Sequence, residues 1–388
     1  MNGMPQGVGY ISSQVRQPMA FMAEVLSMMN VLSKQEALAF VREHAAVLDS
    51  PANPPNPFAC SDWMLHFIEQ VAEDDWRILA LDGDTRGAAF TLAWQPAAAP
   101  WRCLALTNYY ASLWSPLASA ASLPDERAAA LRAIVRDLGA ARPRLATAQF
   151  APLDGQSTDT EALLAELRGQ GWYARQYFAF GNWTLPCEGL DFDAYMAARD
   201  SQVRHTLARK SKKLLAAGHL EIVTEPADVE RAMDAWDAIY GRSWKQPEPY
   251  PGFVRGWARR CAERGWLRLG LAHVEGQPIA AQFWFTMGGR AFIFKLAYDE
   301  GYAKWSAGTV LTAHMFRHAF EVDHVVEIDY LTGDDPYKSA WMTQRRERIG
   351  VLACNLRSSR GVWSAAREMA GSLSAPLRHR RGAAASPA

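Results

Sequence analysis

The sequence predicts an α/β (α+β) protein built from two tandem units, each a mixed, mostly antiparallel sheet flanked by helices. Three observations lead there. The chain has 388 residues, more than one ordinary core fills. Apolar residues make up 49% and charged residues 21%, the balance of a globular chain and not of a disordered one. The order helix, helix, three strands, helix, strand, helix, strand can also be read twice, most simply as one fold repeated.

The first element, a Met-rich run from Pro18 to Leu32, is broken by Glu24 and Asn30. It is too short to span a bilayer and lacks a basic cluster before it, so residues 1–32 are expected to form a helical lead-in. Helices follow at Lys34 to Leu48 and Asp62 to Val71, separated by the Pro-rich loop Ser50 to Pro57. Strand patterns run from Arg77 to Leu81, Gly87 to Trp94 and Arg102 to Tyr109, with Asp82-Gly83-Asp84 as a hairpin turn. Helix Asp125 to Leu138, strand Leu145 to Phe150, helix Thr160 to Arg168 and strand Arg175 to Leu185 complete a unit spanning 33–186.

A basic helix, Ser201 to Ala217, opens the second unit, 187–356. Ala227 to Tyr240 and Phe253 to Glu263 read as helices. Trp266 to His273, Pro278 to Met287 and Arg290 to Tyr298 read as strands turning at Glu275-Gly276 and Gly288-Gly289. Helix Thr309 to Glu321, strand Val325 to Tyr330, short helix Tyr337 to Thr343 and strand Ile349 to Asn355 close it. Residues 357–388 are expected to be a C-terminal helix with a mobile basic tail from Ser374.

Charge and cysteine usage narrow the function. Lys plus Arg and Asp plus Glu are 41 each, so no global field draws the chain onto DNA or an anionic membrane. Five scattered cysteines without a C-x-x-C pair argue against a disulfide framework or structural zinc and for a reducing cytoplasm. His314 and His318 have zinc-protease spacing, but Met315 stands where that motif needs Glu; no metal is expected.

Two segments carry chemistry. Between the strand ending at Tyr298 and the next helix lies Ser306-Ala307-Gly308-Thr309. Small residues there leave the first helical N–H groups uncovered, a ready anion site; alternatively Ser306 is an ordinary N-cap. The second segment runs from Asp329 through Gly333 and Asp334 to Tyr337, Lys338 and Trp341, a polar loop at a strand's carboxyl end, where open α/β sheets place ligands. Asp334-Asp335-Pro336 is also ordinary turn chemistry.

On these residues, with the basic helix Arg204 to Lys213 and the strand Ala280 to Phe285, the region from about 195 to 355 resembles GNAT-related acyltransferases of the CelD-like, cellulose-biosynthesis-associated type. More distantly it resembles the FemAB peptidyltransferases, which pair two GNAT-like domains. The first half shows no comparable loop or lysine motif and reads as a degenerate copy. Where GNAT enzymes show Gln or Arg opening a glycine-rich loop, this chain has Tyr302, Lys304 and the single Gly308. That departure counts against acetyl-CoA itself; the donor the resemblance implies is an acyl-CoA, acetyl-CoA or a longer ester.

The resemblance implies a splay between the strands at Arg290 to Tyr298 and Val325 to Tyr330. The donor's pyrophosphate would sit on the N–H groups of Ser306, Ala307, Gly308, Thr309 and Val310, and its carbonyl on Leu296, Ala297 and Tyr298. Asp329 or Asp334 would be the base, Tyr337 or Tyr330 the proton donor, and Lys338 a ligand for acceptor or phosphate. Arg204, Lys210, Trp244, Gln282 and Trp341 are candidate substrate contacts. The expected acceptor is a small or glycan-linked amine, such as an amino sugar or amino acid of exopolysaccharide or envelope synthesis. Two other readings stand beside this one: FemAB-like transfer from aminoacyl-tRNA, and a non-catalytic ligand-binding subunit of a polysaccharide or lipid assembly system.

Overall fold

The computed structural model describes residues 29–50, 56–82, 89–117 and 124–383. Its first half contains β1 (Met29–Leu32), α1 (Lys34–Glu43), α2 (Ala45–Leu48), α3 (Ser61–Val71), β2 (Arg77–Asp82), β3 (Phe90–Gln95), β4 (Arg102–Ala105), α4 (Pro124–Ala140), β5 (Thr147–Asp154), α5 (Thr158–Gly169) and β6 (Trp172–Pro186). The second contains α6 (Phe192–Ala197), α7 (Ser201–Ala217), β7 (Gly218–Val223), α8 (Val229–Gly241), α9 (Pro251–Glu263), β8 (Leu267–Val274), β9 (Gln277–Met287), β10 (Arg290–Tyr298), α10 (Ala307–Glu321), β11 (Glu327–Asp329), α11 (Pro336–Ser339), β12 (Gln344–Asn355) and α12 (Ser359–Ala383).

Local chemistry sets many of these boundaries. Ser33 and Glu36 form a reciprocal capping box: the Ser33 hydroxyl accepts from the Glu36 amide at 3.3 Å and the Glu36 carboxylate accepts from the Ser33 amide at 2.8 Å. Both residues of the Glu275-Gly276 and Gly288-Gly289 turns have positive φ, the geometry that lets a two-residue hairpin follow the strand twist.

All described strands join one mixed, mostly antiparallel sheet in the order β1-β2-β3-β4-β5-β12-β6-β11-β10-β9-β8-β7. Adding six to each strand number of the first half gives the second, so the sheet has a pseudo-twofold at its centre. The halves exchange their last strands there. β12 pairs with β5 on one side and along β6 on the other, while the end of β6, Thr184 to Pro186, pairs with β11. Gly350 is needed at this centre, because a Cβ would lie 2.1 Å from the ring of Tyr177 on β6, whose hydroxyl also accepts from Gln149 on β5 at 2.8 Å.

Several expectations need correction. Met29–Leu32 is an edge strand paired with β2, not part of a helical lead-in. The matching edge strand β7 was not foreseen. The strand expected at Val325 to Tyr330 shortens to Glu327–Asp329, and the one expected at Ile349 begins at Gln344, because β12 is held by strands on both sides. The helix backbone of α12 runs to Ala383, through the start of the expected mobile tail; residues 384–388 lie outside the described residues, as do 1–28 and the turn at Gly83-Asp84.

Helices join the halves on one face. Trp63 and Phe67 of α3 pack into the same core as Phe253 and Trp257 of α9, with Trp63 edge-on to both at 5.5 and 4.9 Å. His66 lies in this seam at 2% exposure, its Nε2 2.8 Å from the Phe253 carbonyl. Burial pushes its imidazole down to about 4.

Two outcomes follow. Residues 29–186 expressed alone lack the strand between β5 and β6 and should show no cooperative thermal transition; a sharp transition from that fragment would contradict the exchange. His66 is neutral when folded, so its contribution is intact above its ordinary 6.5 and declines as pH falls from 6.5 toward 4, by up to ~3 kcal/mol. Urea titrations of the native protein and His66→Phe between those pH values should show the slope reduced in the variant.

Candidate active site

β10 and β11 run parallel but pair over only three residues, Arg290 to Phe292 against Glu327 to Asp329. β10 continues to Tyr298 with no strand partner on that edge, and a bulge between Ile293 and Lys295 in its pairing with β9 turns it further. The sheet therefore opens along Ile293 to Tyr298.

The first turn of α10 is fixed against this opening. Gln282, opposite Leu296 on β9, donates to the Gly308 carbonyl at 3.2 Å and to the Thr312 hydroxyl at 2.7 Å. Ser306 occupies the N-cap in a left-handed conformation, φ 53°, with no side-chain capping bond. Its own amide is used by Ala303, and the Val310 amide returns to Ser306. Among the described residues, the amides of Ala307, Gly308 and Thr309 are left without a protein acceptor, a narrower set than the sequence suggested. Lys210 of α7 donates to the Lys304 carbonyl, and Lys213 lies 4.5 Å over the Trp305 ring, so the basic helix borders the same loop.

In the first half, β4 and β5 likewise pair in parallel over Arg102 to Leu104. There the opening is filled. The Trp114 amide donates to the Pro152 carbonyl on β5 at 2.6 Å, its ring stacks on Phe150 at 5.0 Å, and its Nε1 donates to the Leu92 carbonyl at 3.1 Å.

At the β10–β11 opening lies a cavity of about 170 Å³ lined from both halves, by Tyr109 and Tyr110, by Lys245, by Lys295 and Leu296, and by the loop Tyr330 to Lys338. Glu248 organises it. Its carboxylate accepts from Tyr110 at 2.6 Å and Tyr240 at 2.8 Å and pairs with Lys295, whose Nζ lies 4.7 Å over the Tyr110 ring. Burial would raise the Glu248 carboxyl, but these donors outweigh it and hold it below its usual value. Burial, then the Lys295 charge, pushes Lys245 down to about 8. Tyr337 is pushed up to about 12 by burial and by Asp335.

The residues named from sequence divide. Leu296, Tyr337 and Lys338 line the cavity with Tyr330. Lys338 Nζ donates to the Thr332 carbonyl at 2.6 Å and to those of Gly333 and Tyr330, so it shapes the loop around the cavity. Asp329 is buried toward β6, accepting from Asn182 Nδ2 at 2.6 Å and the Leu331 amide at 2.7 Å, and burial raises its carboxyl. Asp334 lies outside the cavity lining, bound by Arg345 and by Trp183 Nε1 at 2.8 Å. Trp341 is buried against Phe316, Gln282 brackets α10, and Arg204 Nε donates to the Arg199 carbonyl. Trp244 is half exposed and packs 4.6 Å from Tyr298.

Sequence reading missed Tyr109, Tyr110, Lys245, Glu248 and Lys295. One signal was present: Lys295 is a lone charge inside the apolar strand Phe292-Ile293-Phe294-Lys295-Leu296, a position that needs a buried partner. Elsewhere, His219, Glu221 and His273 bring ligand atoms within 4.8 Å at the β7–β8 edge, but Glu221 is already held by Arg231. The five cysteines are free and buried, and no helix among the described residues is long and apolar enough to cross a membrane.

The fold is shared with known proteins. No curated protein matches the chain. The C-terminal domain (DUF2156) of a putative lysylphosphatidylglycerol synthetase from Agrobacterium fabrum is similar in fold, with TM-score 0.53, 13% identity, and coverage of 88% of this chain and 98% of that one. FemX gives TM-score 0.54 at 12% identity, covering 84% and 96%. L-PGS from Bacillus licheniformis gives 0.50 at 12%, covering 86% and 95%. Residues 201–339, within the half that holds the open sheet and the uncapped helix, match the family described as Acetyltransferase (GNAT) domain.

Proposed function

We propose that the protein is an N-acyltransferase that moves an acyl group from an acyl-CoA thioester to an amine. The observation that carries this reading is the parting of β10 and β11 beside three uncapped amides of α10. Those amides would hold the pyrophosphate, and the exposed cations of α7, Arg204, Arg209 and Lys212, favour the rest of a polyanionic donor. The unpaired edge of β10 would hold the thioester carbonyl, where each hydrogen bond to developing oxyanion is worth ~3 kcal/mol.

The acceptor amine enters the cavity beneath Tyr109 and Tyr110. Its nitrogen attacks the thioester carbon, its proton passes to neutral Lys245, and the departing thiolate takes a proton from Tyr337. Lys245 replaces Asp329 and Asp334 in the base role, since both carboxylates are engaged away from the cavity lining. An amino sugar or amino acid of exopolysaccharide or envelope synthesis, as in CelD-like proteins, fits this chemistry; the setting would be cytoplasmic.

A second reading is transfer from aminoacyl-tRNA. The exposed basic helix α7 beside the donor loop and the fold shared with FemX favour it.

Thermal shift separates the two. A CoA ester present at ~100 times its Kd should add ~2.7 kcal/mol to stability, with no shift from charged tRNA; the reverse result selects the second reading, and silence with both removes the donor site. With Lys245 as base the neutral form is active, so kcat/KM should rise with pH through about 8. Lys245→Arg should lose that limb and most of the rate; an unchanged profile would exclude Lys245 from proton transfer.

A further inference from the structure

The face that α12 turns to solvent is apolar, and close packing on its other side fixes which face that is. Gly361 closes on the end of β12 and on the loop before β5, where a Cβ would lie 2.1 Å from the Asn355 carbonyl oxygen and 2.9 Å from that of Ala146. Ala365 is buried one turn on, and Glu368 pairs with Arg175 of β6. Residues 361, 365 and 368 are therefore the inner stripe of the helix, at the spacing of one helical face. Val362, Trp363, Ala366 and Ala370 lie off that stripe and are exposed, Trp363 at 64% and Val362 at 48%, with Leu356 in the turn before the helix at 48%. A surface helix carries polar residues on its outer face, and a contiguous apolar patch there marks a contact with something else.

Arginines from two parts of the chain lie beside this patch. Arg357, Arg360 and Arg367 belong to α12 and the turn before it, and all three are exposed. Arg144, also exposed, belongs to the loop 141–146, which is stitched to that turn: Arg144 Nη1 donates to the Arg357 carbonyl at 2.7 Å, and Asn355 Nδ2 to the Leu145 carbonyl at 3.0 Å. Neither 355–367 nor 138–153 contains an acidic residue. Arg360 and Arg367 lie over the rings of Trp101 and Trp363, at 4.2 and 5.2 Å, while Glu368 is already neutralised by Arg175. The backbone of α12 continues to Ala383, and its sequence from 372 carries Leu373, Leu377, Arg378, Arg380 and Arg381 with no acidic residue.

Charge and polarity together select what covers this face. A second copy of the chain would bring arginines against arginines. Residues 1–28 hold one charge of each sign, Arg16 and Glu24, and so cannot neutralise them. Nucleic acid would meet the arginines with phosphate but leave Val362 and Leu356 in water. An anionic lipid surface satisfies both: the apolar side chains and the Trp ring bury at the boundary of headgroups and acyl chains, and the arginines beside them reach the headgroup phosphates. We infer that α12 is a membrane-surface helix that attaches the protein reversibly to anionic lipid. The attachment is local, since 41 basic residues balance 41 acidic ones over the whole chain.

The test is co-sedimentation of the full chain with phosphatidylcholine vesicles, with and without phosphatidylglycerol. Binding should require the anionic lipid and weaken as salt is added. Trp363→Ser and Arg367→Gln should each weaken it about five-fold, and Val362→Asp should weaken it further. These side chains are exposed, so each variant should keep the native melting temperature. No binding to the anionic vesicles, or equal binding by the native protein and all three variants, overturns the inference. Two other results overturn it by reassigning the face: a dimer in solution that Val362→Asp dissociates gives it to a second copy, and tRNA binding that Arg367→Gln abolishes, with no binding to vesicles, gives it to nucleic acid.

Discussion

The exchange of β6 and β12 is the constraint on which the rest of the molecule depends. Each half supplies its last strand to the centre of the sheet, and the two strands pair along their length from Gln344 opposite Thr184 to Asn355 opposite Trp172. Since β12 also pairs with β5, Val351 and Ala353 bury their side chains in the core of the first half, while the end of β6 supports β11. Neither half can complete its hydrogen bonds or its core without the other. This fixes the position of one half against the other, and side chains can be shared between clefts only if that position is rigid.

The same backbone device appears twice with different outcomes. In both halves a parallel pair separates after three residues, as expected when the bridge between the strands holds a helix that must pack back on the sheet. In the first half, Trp114 returns to the edge that β4 leaves and stacks on Phe150. In the second, no such residue returns among the described residues, and the free edge of β10 faces the first turn of α10. Trp114 thus covers in the first half the edge whose counterpart stays unpaired on β10 in the second.

Interior strands were legible because their apolar runs end at turn residues with a fixed geometry, as at Glu275-Gly276 and Gly288-Gly289. The edges β1 and β7 were not, since four to six residues paired on one side carry little pattern. Nor does alternation name a strand's partner, so the exchange was invisible. The free amides of α10, the proposed donor side, were legible as small residues opening a helix. The acceptor side was not: Lys295 sits 47 residues from Glu248, and Tyr110 lies 138 from it in the other half. Asp329 and Asp334 lie in or next to the loop that borders the cavity, but Asn182 and Arg345, which occupy them, come from β6 and β12 and so from the exchange itself.

The charge arrangement also bears on what the acceptor must be. With Lys245 neutral, as the proposed function has it, Lys295 and Lys338 face Glu248 and Asp335 around the cavity, two cations to two anions. An incoming ammonium would lose its water in this part-buried site and meet the Lys295 charge, an interaction stronger there than in water. A neutral amine suffers no such repulsion and can donate to Asp335 or accept from a tyrosine. The burial that, with the Lys295 charge, pushes Lys245 toward its neutral form therefore acts in the same direction on the acceptor, and the proposed transfer to nitrogen needs both amines uncharged before the bond forms. On this view Glu248 and its tyrosines do not take part in the chemistry; they keep Lys295 charged, and Lys295 adds to the burial that keeps the amines beside it neutral.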